Sequence, residues 1–169
     1  YGDYNMLWLA PYGNHKYLKT IQYHILVLNK NGKYTFNHNL CDYHLALQWI
    51  YSNKVKNLFF ANRKKDQTIT SEHIDLAASV QKAFELALEN MLNWCKKKHP
   101  DLNLLYISGG CALNVTANGK ILSKQFCNKI NFTPASNAAC CSIGAVINFR
   151  ENNNVNIDNQ LIKSPYLGS

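Results

Sequence analysis

Apolar residues recur at three- and four-residue steps along one stretch: Ile74, Ala77, Val80, Phe84, Leu88, Met91 and Cys95. Such spacing places them on one face of a helix, which Thr70 or Ser71 can cap and which runs to about Lys98. The Lys96–Lys98 run falls in its last turn, where cations suit the helix dipole, and His99–Pro100 ends it. Upstream, residues 21–29 are rich in β-branched and aromatic types, Asn31–Gly32 follows, and residues 33–37 are again β-rich. An Asn-Gly pair between two such runs predicts a hairpin. Residues 1–20 read as loop, with a turn at Leu9–Gly13, and residues 43–52 as a short helix. Residues 53–70 read as irregular, held to the core by Phe59–Phe60.

Past the long helix, Leu102–Ile107 is a short apolar run suited to a buried strand. Ser108–Gly109–Gly110 follows at once, then a helical stretch from Cys111 to Ser123 interrupted at Asn118–Gly119. Lys129–Thr133 is a second strand, Pro134–Asn137 a loop, and Ala138–Phe149 a run of small apolar residues expected to form a tightly packed helix. The order of hairpin, long helix, strand, Gly-Gly, helix, strand and helix is that of an α/β protein. Residues 1–150 form the expected globular part and 151–169 a polar linker.

Composition narrows this picture. A chain of 169 residues, 47% hydrophobic and 17% charged, has the apolar mass for a core. No apolar run reaches the roughly 18 residues needed to cross a bilayer. The start, Tyr1–Gly2–Asp3–Tyr4, has neither the features of a signal peptide nor an initiator Met, so more natural sequence is expected upstream. The net charge of +8 comes mostly from Lys, partly in the runs Arg63–Lys65 and Lys96–Lys98. These runs are short and lack interleaved aromatics. They read as solvated surface in preference to a nucleic-acid interface, which would bind with a steep salt dependence. The six cysteines contain no CxxC pair and match no secreted disulfide framework, so reduced thiols and a cytoplasmic location are expected. The six histidines share no metal-ligand spacing: His24 reads as a hydrogen-bonded strand residue and His73 as a surface group. Asp75 reads as a charge favoured near a helix start.

The strand, Gly109–Gly110 and the helix that follows carry the candidate chemistry. Glycines let main chain approach a phosphate, and a helix start offers free N–H groups with a positive dipole end. A tight turn with no ligand is the alternative.

At these residues the chain resembles a family. Asp75-Leu-Ala-Ala-Ser-Val-Gln81 and Ser108-Gly-Gly-Cys-Ala-Leu-Asn-Val-Thr-Ala-Asn-Gly-Lys120 are similar to motifs of O-carbamoyltransferases of the nodulation and antibiotic-tailoring type. Leu9-Ala-Pro-Tyr-Gly13, and Pro134-Ala-Ser-Asn137 followed by Ser142-Ile-Gly-Ala145, match two more, in the same order. The Gly-Gly element also resembles that of tRNA threonylcarbamoyl transferases. The resemblance implies a ribonuclease-H-like lobe of the actin, hexokinase and sugar-kinase (ASKHA) superfamily, a mixed sheet with packed helices, here the second lobe of a nucleotide-binding domain. It implies ATP as cosubstrate, with Mg or Fe in the family. Carbamoyl phosphate and ATP would give a carbamoyl-adenylate, whose carbamoyl group passes to a hydroxyl or amine acceptor. Carried over by motif, Gly109, Gly110 and Asn114 would contact the nucleotide, with Asn118, Ser136 and Asn137 as further candidates.

The departures concern the metal. The family's metal-binding Asp aligns with Ala138, whose methyl group cannot coordinate a cation. Asn5 and Trp8 replace the family's Lys and Gly before Leu9, and no H-x-x-x-H occurs. The first lobe and the carboxy-terminal domain that handles carbamoyl phosphate are therefore expected as partner regions or chains. A degenerate, non-catalytic subunit of a larger assembly is the alternative.

Overall fold

The computed structural model describes residues 2–40, 53–60, 63, 66–133, 136 and 140–153. The chain divides into two compact units, Tyr1–Pro100 and Asp101–Ser169. The first is built on α1 (Gly2–Leu9), α2 (Leu18–His24), β1 (Leu26–Leu28), β2 (Tyr34–Phe36), α3 (Asn53–Leu58) and α4 (Ser71–Lys98). The second holds β3 (Leu104–Ile107), α5 (Val115–Lys124), β4 (Lys129–Phe132) and α6 (Cys140–Asn153).

The long helix forms where its stripe predicts, and Thr70 caps it. The cap is a reciprocal box: the Thr70 side chain accepts from the His73 N–H, and His73 Nδ1 accepts from the Thr70 N–H at 3.1 Å. A ring nitrogen thus does the work usually given to Glu or Gln. The stripe itself is only partly the core. Ala77 is buried, whereas Ile74, Val80, Phe84, Leu88 and Cys95 are half-buried and Met91 is 40% exposed. The deepest positions are the small ones, Ala77, Ala78, Ser79 and Ala83, with Glu85, Ala87 and Leu92 also buried, and small side chains let other helices come close.

That explains the first departure from expectation. The first twenty residues are largely helical: α1, a 3-10 turn at Ala10–Tyr12, and the start of α2. All three pack against α4. Short helices with little amphipathic pattern of their own take their stability from such packing. The β-rich stretch at 21–29 also yields to context: Ile21 is a buried residue of α2, and the strand begins only at Leu26. The hairpin is present, with Leu26 opposite Phe36 and Leu28 opposite Tyr34. The Asn29 N–H donates to the Lys33 carbonyl at 2.9 Å, so Lys30–Gly32 is a three-residue loop ending on Gly32 at φ +75°, a known hairpin form. Asn90 of α4 holds the loop's base, donating to Asn29 O at 3.0 Å and to Lys33 O at 3.3 Å.

Part of the segment expected to be irregular forms α3. The Phe59–Phe60 anchor is real: Tyr17 meets both rings, at centroid distances of 5.6 and 6.0 Å. The helix expected at 43–52 lies outside the described residues.

In the second unit, β3 and β4 are parallel neighbours, Leu104 opposite Lys129 and Ile107 opposite Phe132. The crossover between them consists of a 3-10 turn, Gly110–Leu113, and α5. Ala112, Ala117, Ile121 and Cys127 form its buried core. The interruption expected at Asn118–Gly119 falls instead at Asn114, and α5 continues through both residues. The helix predicted from Ala138 is found as α6, but it is not tightly packed: every residue from Cys141 to Phe149 is exposed, Phe149 to 64%. It also runs to Asn153, into the segment read as linker. Between Cys140 and Ile147 only Ser142 is polar, so the helix presents an exposed apolar surface. Among those residues the two sheets have two strands each.

Candidate functional site

The site begins where β3 ends. Thr133 N–H donates to Ile107 O at 3.1 Å and carries the pairing of the two strands one step further. Gly109 then takes φ +92°, ψ 167°, a conformation open to glycine and strained for other residues. Gly110 starts the 3-10 turn without a positive φ. Among the described residues, a Cβ at either position would meet no atom within 4 Å. Packing against those residues therefore does not require Gly110 to lack a side chain.

The turn is closed by Ala112 N–H on Gly109 O at 2.9 Å and by Asn114 N–H on Cys111 O at 3.1 Å. The leading N–H groups of a helical turn have no partner within it; here they belong to the exposed Gly110 and Cys111. Asn114 caps α5, its Oδ1 accepting from Ala117 N–H at 3.0 Å. Asn118, one turn on, donates from Nδ2 to Ala112 O at 2.7 Å.

Gly109, Gly110, Asn114 and Asn118 thus come together as one strand–turn–helix element. Ser136 follows β4, and because β3 and β4 are parallel it lies beyond the same end of the sheet as Gly109. Its side chain is buried, 1% exposed, and the hydroxyl donates to Thr133 O. Asn137 and Ala138 lie outside the described residues. The methyl of Ala138 offers a metal no donor atom, and no group of three metal-ligating side chains exists among the described residues.

Two residues in the first turns of α4 have structural roles in the first unit. Asp75 accepts the Asn14 N–H at 2.7 Å. His73, expected at the surface, is half-buried in the cap against Phe60, with ring centroids 4.9 Å apart. Its Nε2 is buried without a partner among the described residues. Ser79, which sequence reasoning missed, is 0% exposed. Its Oγ accepts from Tyr17 N–H at 3.0 Å and donates to Asp75 O at 2.7 Å. With Asp75 it ties the chain following Leu9–Gly13 to α4. The available signal was a lone hydroxyl after Ala77–Ala78 on the buried part of the helix. Lys16 pairs with Glu72 at 3.3 Å on the surface. The hydrogen bond to Glu72 holds its ammonium above the usual lysine range, with Tyr17 adding to the effect.

Comparison with known proteins places this element in a family. Residues 2–147 match the family model described as carbamoyltransferase N-terminus. The chain belongs to the carbamoyltransferase family, as a divergent member matching its amino-terminal domain. It is 33% identical over 148 residues to the uncharacterized protein sll1178 of Synechocystis sp., covering 86% of this chain and 24% of that protein. It is 28% identical over 148 residues to the nodulation protein NolO of Bradyrhizobium diazoefficiens, with 87% and 25% covered. Against the nodulation protein NolNO of Sinorhizobium fredii it is 28% identical over 153 residues, with 87% and 20% covered. The chain thus spans about a quarter of the length of the curated relatives it matches. No described helix is long and apolar enough to cross a membrane.

Proposed function

We propose that this chain is the nucleotide-binding second lobe of an ATP-dependent carbamoyltransferase, with the ribonuclease-H-like architecture of the ASKHA superfamily. The observation that carries the reading is the open Gly109–Gly110 loop at the carboxyl end of a parallel strand. Ligands of α/β sheets gather at such ends. Room is left where Gly110 lacks a side chain, and its N–H and that of Cys111 face no partner within the turn. Those amides suit the anionic end of a nucleotide, and fixed N–H donors stabilise charge that develops during transfer.

In the reaction proposed, carbamoyl phosphate loses phosphate to water, and the resulting carbamate oxygen attacks the α-phosphorus of ATP and expels pyrophosphate. An acceptor hydroxyl or amine then attacks the carbamoyl carbon and releases AMP. The loop's part is to hold and orient ATP. Carbamoyl phosphate handling and acceptor binding belong to the further regions that the longer relatives possess, and the apolar exterior of α6 supports contact with such regions.

The test is pyrophosphate release from ATP and carbamoyl phosphate by the protein in its native assembly, with ATP affinity measured beside it. Gly110→Ala should fold normally and weaken ATP binding about tenfold, because the methyl enters space the ligand uses. Unchanged affinity, or no ATP binding by the parent protein, would refute the reading. Ala138, standing where the family has a metal-binding Asp, favours a second reading, a non-catalytic subunit. ATP bound with no pyrophosphate formed would select it.

A further inference from the structure

The resemblance treats Asn118 as a nucleotide contact, and the hydrogen bonds suggest a different job. Ala112 is 5% exposed, and its carbonyl lies in the middle of the Gly110–Leu113 turn. The amide of Asn118 reaches back six residues to satisfy that carbonyl at 2.7 Å. The Asn118 backbone N–H donates to Asn114 O at 3.0 Å, and Asn114 Oδ1 takes the Ala117 N–H. The turn is therefore tied to α5 by a side chain at each end of the first helical turn. Both ties hold main chain, and among the described residues the Ala112 carbonyl accepts from Asn118. A buried carbonyl without a donor is unfavourable, so loss of that donor should let the turn rearrange. The Gly110 and Cys111 N–H groups lie at its free end.

We infer that Asn118 is a positioning residue. Its side chain clamps the Gly110–Leu113 turn through Ala112 O and so fixes the direction of the Gly110 and Cys111 amides toward the nucleotide's phosphates. The clamp follows from the geometry alone, whereas its consequence for ATP rests on the proposed function. Asn118→Ala removes the donor. Asn118→Asp keeps the shape and an oxygen but sets it against the Ala112 carbonyl, so it is the more damaging change.

The experiment is amide hydrogen exchange on nucleotide-free protein, followed by ATP titration of the same samples. In both variants, exchange of the hydrogen-bonded Ala112 and Asn114 amides should quicken about tenfold or more, with α4 and the β1–β2 hairpin unchanged. ATP affinity should fall by a similar factor, more for Asp than for Ala. Exchange unchanged in the folded Ala variant overturns the clamp. Weaker ATP binding with unchanged exchange would make Asn118 a direct ligand instead. Faster exchange with full ATP affinity would overturn its positioning role. If the parent protein binds no ATP, the nucleotide reading fails, and the exchange result still decides the clamp.

Discussion

The glycines of the two units meet opposite surroundings. In the first unit, a Cβ on Gly13 would lie 2.7 Å from the carbonyl carbon of Ile74 and 3.0 Å from the Cβ of Ala78. A Cβ on Gly32 would lie 2.5 Å from the Cβ of Trp94. In the second unit, a Cβ on Gly109, Gly110 or Gly119 would meet nothing within 4 Å among the described residues. Gly13 and Gly32 thus allow parts of this chain to touch, whereas the glycines of the Ser108–Lys120 motif meet no described neighbour. A glycine in a family motif can serve packing or approach, and the atoms around its missing Cβ distinguish the two. By that measure the Leu9–Gly13 motif is a packing device and Gly110 is available to an external group.

The sharpest way to break the comparison is Gly13→Ala. The nearest obstructing atoms belong to the Ile74 carbonyl in the backbone of α4, which cannot turn aside as a flexible side chain would. A loss of about 2–3 kcal/mol of unfolding free energy is expected by chemical denaturation. A loss near zero would remove the packing role. Gly32→Ala comes next, at about 1–2 kcal/mol, because an L side chain is strained at φ +75°. The nearest obstructing atoms are the Cβ and Cγ of Trp94, at 2.5 and 2.7 Å, and the hairpin loop relieves them only by lifting from α4. Trp94 fluorescence, followed through the denaturation, reports the hairpin loosening from α4. The smallest change has the opposite sign. Gly119 lies inside α5 with open space around it, so Gly119→Ala should raise stability by about 0.5–1 kcal/mol, read from the thermal transition by circular dichroism. Destabilisation there would show that the second unit's glycines are packed after all.

Legibility in the sequence followed the range of the interactions. The α4 stripe, the Asn31–Gly32 turn and the strand before Gly109 could be read, since each rests on neighbours a few residues apart. The helices at Gly2–Leu9 and Leu18–His24 could not, because their partners are some sixty residues away on α4. Asn118 was legible as part of a motif but not in its role, since nothing local says that its amide faces Ala112 O. Ser79 was missed because the partner that sets its role, Tyr17 N–H, lies 62 residues away, whereas Asp75 O is a local partner on its own helix.

By itself the sequence determined the family, the long helix with its charged last turn, and the strand–Gly-Gly–helix order of the candidate site. These follow from residue types at fixed short spacings, which local geometry converts directly into structure. Only the tertiary structure decided that Ile21 joins a helix instead of a strand, that the deepest positions of α4 are small residues, and that Cys141–Phe149 of α6 are exposed. Burial depends on which distant surfaces meet, and apolar residues at helical spacing do not state how close a neighbour will come.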